Sequence, residues 1–384
     1  MTEMADLTPH AGSERESRVT TLELFFDLVF VFGFTQITGA VADDPTAEGV
    51  ARGVLVFAVL WWAWGSYAWL TNTVRTGDTA PRLVVLAAMG AMLVTALAVP
   101  TAWEDGGVAF ALGYLVVMAL HTALFALAGE NPELTRRAIL RLAPTNLAAA
   151  LLLVGAGLAD GTTQTALWVS AIVLSYLGPY ITGVAGFTVH PAHFAERHGL
   201  IVLIALGESV VAIGAGGDDI IIDWSLAGTV VVVMALIAGL WWDYFTDDAD
   251  AGERALVTAE GPERARLARD VYSYLHIPLV LGIVLAAVGI HEALVHDSEP
   301  LDQVVAAAFA GGVALFFAGL AAIRLRRGDH PGVLCLVAIA VAALMIPIGT
   351  AIDALATMAV LAVVALGVAL TRTPAREGDM EAAA

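Results

Sequence analysis

Apolar runs of about twenty residues, parted by short polar stretches, recur from residue 21 to residue 370. A bilayer core about 30 Å thick takes roughly 20 residues of helix, so each run predicts a membrane-crossing helix. Twelve are predicted, over 21–42, 53–71, 82–100, 107–128, 138–158, 164–187, 198–215, 224–244, 272–291, 303–322, 332–347 and 350–370. Only a short break at Pro347–Asp353 divides the last two. The expected fold class is all-α: a polytopic transmembrane helical bundle of about 12 helices.

The polar stretches carry a charge pattern that tests this count. Arg75, Arg82, Arg136, Arg137, Arg141, Arg197, Arg254, Arg264, Arg266, Arg269, Arg324, Arg326 and Arg327 fall in or beside every second connection, and Arg15, Arg18, Arg372 and Arg376 in the tails. The alternate connections hold Arg52 and are otherwise acidic, with Asp43, Asp44, Glu48, Glu104, Asp105, Asp160, Asp218, Asp219, Asp223, Glu292, Asp297, Glu299, Asp302 and Asp353. Thus 17 of 18 arginines lie on one side. Cytoplasmic connections hold the excess of basic residues, so a multi-pass protein of the cell (cytoplasmic) membrane with both termini cytoplasmic is expected. The longest cytoplasmic connection, about 245–271, reads as a charged linker.

Composition agrees. The chain of 384 residues is 59% hydrophobic and 14% charged, with mean hydropathy +0.81, against about 45–50% and 25% in soluble domains. The lipid bilayer is therefore its first partner. A net charge of −19, with no lysine, argues against nucleic acid. The lone Cys335 rules out an intramolecular disulfide and a Cys-based zinc site, and reads as a small buried residue. A polar, acidic leader precedes the first apolar run, so no cleavable signal peptide is expected.

Leu60-Trp61-Trp62 recurs as Leu240-Trp241-Trp242, 180 residues on, and Asp27 and Glu208 stand 181 apart. Each acid falls in the first predicted helix of its half and each tryptophan pair in the second. The pattern predicts a parallel six-plus-six repeat: a tail over 1–19, repeats over 20–190 and 191–371, and a tail over 372–384.

Several strings carry a family likeness. Glu23-Leu-Phe-Phe-Asp27-Leu-Val-Phe-Val-Phe32 opens the first helix, and Trp61-Trp62-Ala-Trp64, Tyr67, Trp69, Thr71-Asn72 run through the second. Glu196-Arg197-His198-Gly199 leads to Gly207-Glu208-Ser209, and Tyr274-Leu-His276-Ile-Pro278 begins the ninth. Over roughly residues 18 to 370 the chain resembles the low temperature requirement A (LtrA) membrane proteins. That resemblance implies a multispanning membrane protein linked to growth in the cold, with no settled biochemical activity. It assigns no role to His198, where an apolar or aromatic residue is equally expected.

Charged groups inside a span are expensive, about 2.5–3.5 kcal/mol each at a helix centre on insertion scales, which makes them the informative positions. Glu23 and Asp27 share one helix face, and Thr38, three turns on, returns to it. They fit a cation or proton path, or pairing with Arg75, Arg82 or Arg197 to fasten helices. Glu208, with Gly207 and Ser209 beside it, is the foremost functional candidate, placed near mid-membrane. His276 is a candidate proton relay or a packing histidine. His190, His193, His198 and Glu196 could complete a metal site, but solvated histidines at a helix start are the simpler expectation. Trp61, Trp62, Trp64 and Trp69 could stack a ligand; Trp69, Tyr67 and the Trp241–Phe245 group fit an interfacial belt better, and Trp61 and Trp62 fit bundle packing.

No phosphate-binding loop, Gly-x-Ser-x-Gly elbow or His-Glu-x-x-His is present. No cofactor, metal or catalytic residue is therefore expected. Movement of a small ion or solute leads the readings. An intramembrane enzyme or lipid-handling protein in cold or stress adaptation follows, then a non-catalytic sensor or assembly factor. A second copy of the chain is a candidate partner.

The threading is checked by labelling. In a Cys335→Ala background, a membrane-impermeant thiol reagent outside intact cells should label Asp219→Cys and leave Arg136→Cys unlabelled.

Overall fold

The computed structural model describes residues 19–74, 78–128, 132–215, 224–295 and 298–371. Arg75 lies outside them, as do Arg15, Arg18, Asp218, Asp219, Asp223, Asp297, Arg372 and Arg376. In chain order the helices are α1 (Thr21–Asp43), α2 (Ala47–Thr73), α3 (Thr79–Leu97), α4 (Gly107–Ala128), α5 (Pro132–Gly157), α6 (Gly161–Thr182), α7 (Pro191–Ala215) and α8 (Trp224–Asp243). Then come α9 (Ala249–Thr258), α10 (Gly261–Leu267), α11 (His276–Val295), α12 (Gln303–Arg327), α13 (Val333–Ile348) and α14 (Ala354–Leu370). π-helical segments Tyr244–Asp248 and Ala268–Tyr274 follow α8 and α10.

Twelve of these helices fall on the predicted spans. Among the described residues, nine are long and apolar enough to cross a membrane, and α13 and α14 are shorter apolar helices. The short break before α14 is built by Asp353, which caps that helix by accepting from Ala356 N at 2.7 Å. Residues 245–271, expected as a linker, are largely helical: α9 and α10 are polar, so hydropathy does not reveal them. Helix α7 starts seven residues before the predicted 198, at Pro191. Proline suits a first helical position, while His193, Glu196 and Arg197 hide the first turns from a hydropathy reading.

Helix α1 packs on α2, α3, α7 and α11. In the first half α3 packs on α4, α4 on α5 and α5 on α6; in the second α11 packs on α12, α12 on α13 and α13 on α14. Apolar surface points both ways. Phe26, Phe30 and Phe34 of α1 are buried, while Leu24, Phe25 and Leu28 are exposed. Glu23, Asp27, Arg197 and Glu208 are inside. Polar groups inside and leucines outside are what a bilayer solvent requires. Trp61 and Trp62 are buried, whereas Trp241 and Trp242 are 44% and 39% exposed, so the two matching tryptophan pairs sit in different surroundings. Tyr67, expected at an interface, is buried and donates to Val117 O at 3.0 Å.

Helices α11 and α12 meet backbone to backbone. A Cβ at Gly282 would lie 2.5 Å from Gly312 O, and one at Gly312 would lie 2.6 Å from Gly282 O. Small residues of this kind let membrane helices approach closely. Gly282→Val should therefore lower stability by about 1–3 kcal/mol, read as earlier thermal aggregation in detergent, while Gly367→Val, whose Cβ meets nothing within 4 Å, should not.

Candidate functional site

The first turn of α1 is a capping box. Thr20 N donates to Glu23 Oε2 at 2.8 Å, and Glu23 N donates to Thr20 Oγ1 at 3.4 Å. The same Glu23 carboxylate faces α7. His193 Nε2 lies 3.1 Å from its Oε1, and Arg197 Nη1 donates to that oxygen at 3.3 Å. Asn72 Nδ2 is 3.1 Å from His193 Nδ1 and can only donate there, so the neutral His193 ring carries its proton on Nε2, toward Glu23. Asn72 also donates to His190 O and accepts from His190 N at 2.8 Å, pinning the start of α7 to α2.

Arg197 is the hub. It has no exposed surface. Its Nη2 donates to Asp27 Oδ1, its Nη1 to Thr71 Oγ1 at 2.8 Å, and its guanidinium lies 5.9 Å from the Trp64 ring. Trp64 Nε1 donates to Asp27 Oδ1 at 2.9 Å. The arginine that meets the two acids is therefore Arg197; Arg82 lies exposed at the start of α3. Two polar atoms in the cluster, Asp27 Oδ2 and Arg197 Nε, are buried without a hydrogen-bond partner among the described residues.

Further along, Glu208 Oε2 accepts from Thr35 Oγ1 at 2.6 Å. Thr35, not Thr38, faces it: the contact line between α1 and α7 follows Glu23, Asp27 and Thr35, spaced by four and eight. The Thr38 hydroxyl has no partner among the described residues. Because α7 starts at Pro191, Glu208 lies about 26 Å along it at 1.5 Å per residue, past the middle of the 25-residue helix. Ser209 is buried beside it.

His198 and His276 meet edge to face, their ring centroids 5.4 Å apart, while His190, His193 and His198 form no shared metal site among the described residues. His198, in van der Waals reach of Trp64, Phe194 and Tyr272, sits in an aromatic box with its Nδ1 on Phe194 O at 2.8 Å. His193 and His198 are 7% and 0% exposed, so they are buried rather than solvated. Among the described residues no group of three His, Cys, Asp or Glu could hold a metal ion. His276 receives Tyr244 OH at 2.9 Å on Nε2, lies 2.8 Å from Val271 O through Nδ1, and stacks on Tyr272.

A second cluster was not singled out by the sequence. Arg324 Nε donates to both carboxylate oxygens of Asp248, at 3.0 and 3.1 Å, and Arg327 Nη2 donates to Asp248 Oδ1 at 2.9 Å. Arg324 Nη1 also holds Pro331 O at 2.7 Å. The alternating arginines marked this end of the bundle, but no spacing links residue 248 to residue 324.

Apolar helices around buried charge define a polytopic integral membrane protein. The chain matches the Bacterial low temperature requirement A protein (LtrA) family over residues 18–370. It belongs to that family. A protein of uncharacterised function from Rhizobium meliloti (strain 1021) is 30% identical over 324 residues, 79% of this chain and 76% of its own length. No solved structure matches.

Losing one member of a buried ion cluster strands its partners at about 3–5 kcal/mol, whereas an exposed pair is worth under about 1 kcal/mol. Asp248→Asn should accordingly destabilise the protein by about 3–5 kcal/mol in thermal unfolding. Asp329→Asn, at the exposed end of the Arg327 pair, should change little.

Proposed function

We propose that this protein moves a small cation or proton-coupled solute across the membrane, with Glu208 as the group that holds the charge. One observation carries the reading. Glu208 is a buried carboxyl deep in the bundle whose single hydrogen-bond partner among the described residues is a hydroxyl. Asp27, by contrast, has a guanidinium on it. A lone carboxylate at such depth must be paired, wetted or protonated, and a group that alternates between a proton or cation and none satisfies that demand. The Glu23–Arg197–Asp27 cluster then closes the arginine-rich, cytoplasmic end in the described state. Its two unsatisfied buried atoms give that closure a standing penalty that an open state would relieve.

The neighbour pattern supports the six-plus-six repeat of the sequence reading, since α3–α4–α5–α6 and α11–α12–α13–α14 pack in the same order. In that arrangement Asp27 and Glu208 belong to equivalent helices, one locked and one open to exchange.

A second reading rests on the same cluster. Arg197 without exposed surface fastens α1, α2 and α7, which suits a sensor or assembly factor without turnover. Proteoliposomes separate the two. Wild-type protein should move protons, Na⁺ or K⁺ above the empty-vesicle background, and Glu208→Gln should cut that flux at least tenfold. Absence of any such flux from well-folded wild-type protein contradicts the transport reading.

A further inference from the structure

A cavity of about 610 Å³, mouth included, lies between α2, α4, α5, α6 and the π-helical segment before α11. Its wall includes Trp61, Trp62, Trp69, His121, Phe187 and Tyr274. Neither Asp27 nor Glu208 lines it, so it stands apart from the cation path.

Three features describe its occupant. First, the wall is aromatic and rigidly held. Trp61 Nε1 donates to Ser273 O and Trp69 Nε1 to Ser273 Oγ, both at 2.9 Å, and Trp62 Nε1 donates to Asn146 Oδ1 at 3.2 Å. With their N–H groups spent on protein acceptors, these rings offer faces and edges for stacking. Second, the charge at the wall is already matched. Arg269 lies 4.1 Å over the Tyr180 ring and 2.7 Å from Asp270, so the cavity calls for an uncharged guest. Third, one polar atom is left over. His121 is 2% exposed, its Nε2 lies 3.1 Å from Ser66 O, and its Nδ1 has no partner among the described residues. A carbonyl oxygen only accepts, so a neutral imidazole there carries its proton on Nε2 and presents a bare lone pair at Nδ1. Buried polar atoms are normally satisfied. The void reaches α2 itself: Gly65 is buried, yet a Cβ added to it would meet nothing within 4 Å.

We propose that this cavity binds a flat, uncharged, largely apolar molecule that donates one hydrogen bond, through a hydroxyl or ring N–H, to Nδ1 of His121. The tryptophan pair at 61–62 and Trp69 stack its body, and the histidine selects for the donor.

The test uses the full-length protein in detergent, with intrinsic tryptophan fluorescence as readout and 2-naphthol and naphthalene as probes. Expected are saturable quenching by both and about three- to tenfold tighter binding of 2-naphthol, the worth of one net hydrogen bond. Gly65→Leu, which fills the void, should abolish the saturable component for both probes. His121→Phe should weaken 2-naphthol to the naphthalene level and leave naphthalene unchanged. Quenching that rises linearly and equally in wild type and Gly65→Leu means partition into detergent only and overturns the site. Equal affinity of the two probes for wild type overturns the role of His121 and needs no variant to fold.

Discussion

A guanidinium with no exposed surface cannot persist in an apolar bundle unless its charge is met where it lies. Arg197 meets that demand with two carboxylates from α1, a hydroxyl from α2 and the face of Trp64. The pairing fixes the register of three helices at once. Glu23 and Asp27 must sit one turn apart on α1, His193 and Arg197 one turn apart on α7, and the two helices must run parallel from the same end. Everything nearby follows from that register. Asn72 ties down the backbone before α7, and His198, one residue past Arg197, is carried into an aromatic box. Thr35 arrives opposite Glu208.

The same physics recurs at the second arginine-rich junction, where Asp248 gathers Arg324 and Arg327. The two clusters are not copies. The first joins helices of opposite halves, while the second joins the π-helical turn after α8 to the end of α12. Deeper in the bundle the cement changes from charge to close approach, as at Gly282 and Gly312. Ion clusters near one end and glycine contacts at depth match where water is and is not available to share the cost of desolvation.

The helices were largely legible in the chain because a bilayer imposes one length and one polarity on every crossing. The spans over 107–128 and 303–322 coincide almost to the residue with α4 and the body of α12. Hydropathy fails where a helix is polar, as it is in α9, α10 and the first turns of α7. Glu23, Asp27, Arg197 and Glu208 stood out because charge within an apolar run is conspicuous. Their partners did not, since Trp64, Thr71, Asn72 and Thr35 are ordinary residues whose role depends on a helix crossing. Thr38 illustrates the limit: helical period alone brings it back to the face of Asp27, but the crossing carries the contact line to Thr35. Arg75, a candidate partner of the acids, lies outside the described residues.

Asp27 and Arg197 act as one unit, and the packing of α1 against α7 depends on it. A double-mutant cycle of Asp27→Asn and Arg197→Met, followed by equilibrium unfolding in detergent micelles, measures that directly. A coupling of about 2–3 kcal/mol is expected, with the double variant far less damaged than the sum of the single ones. Additivity within about 0.5 kcal/mol would contradict it.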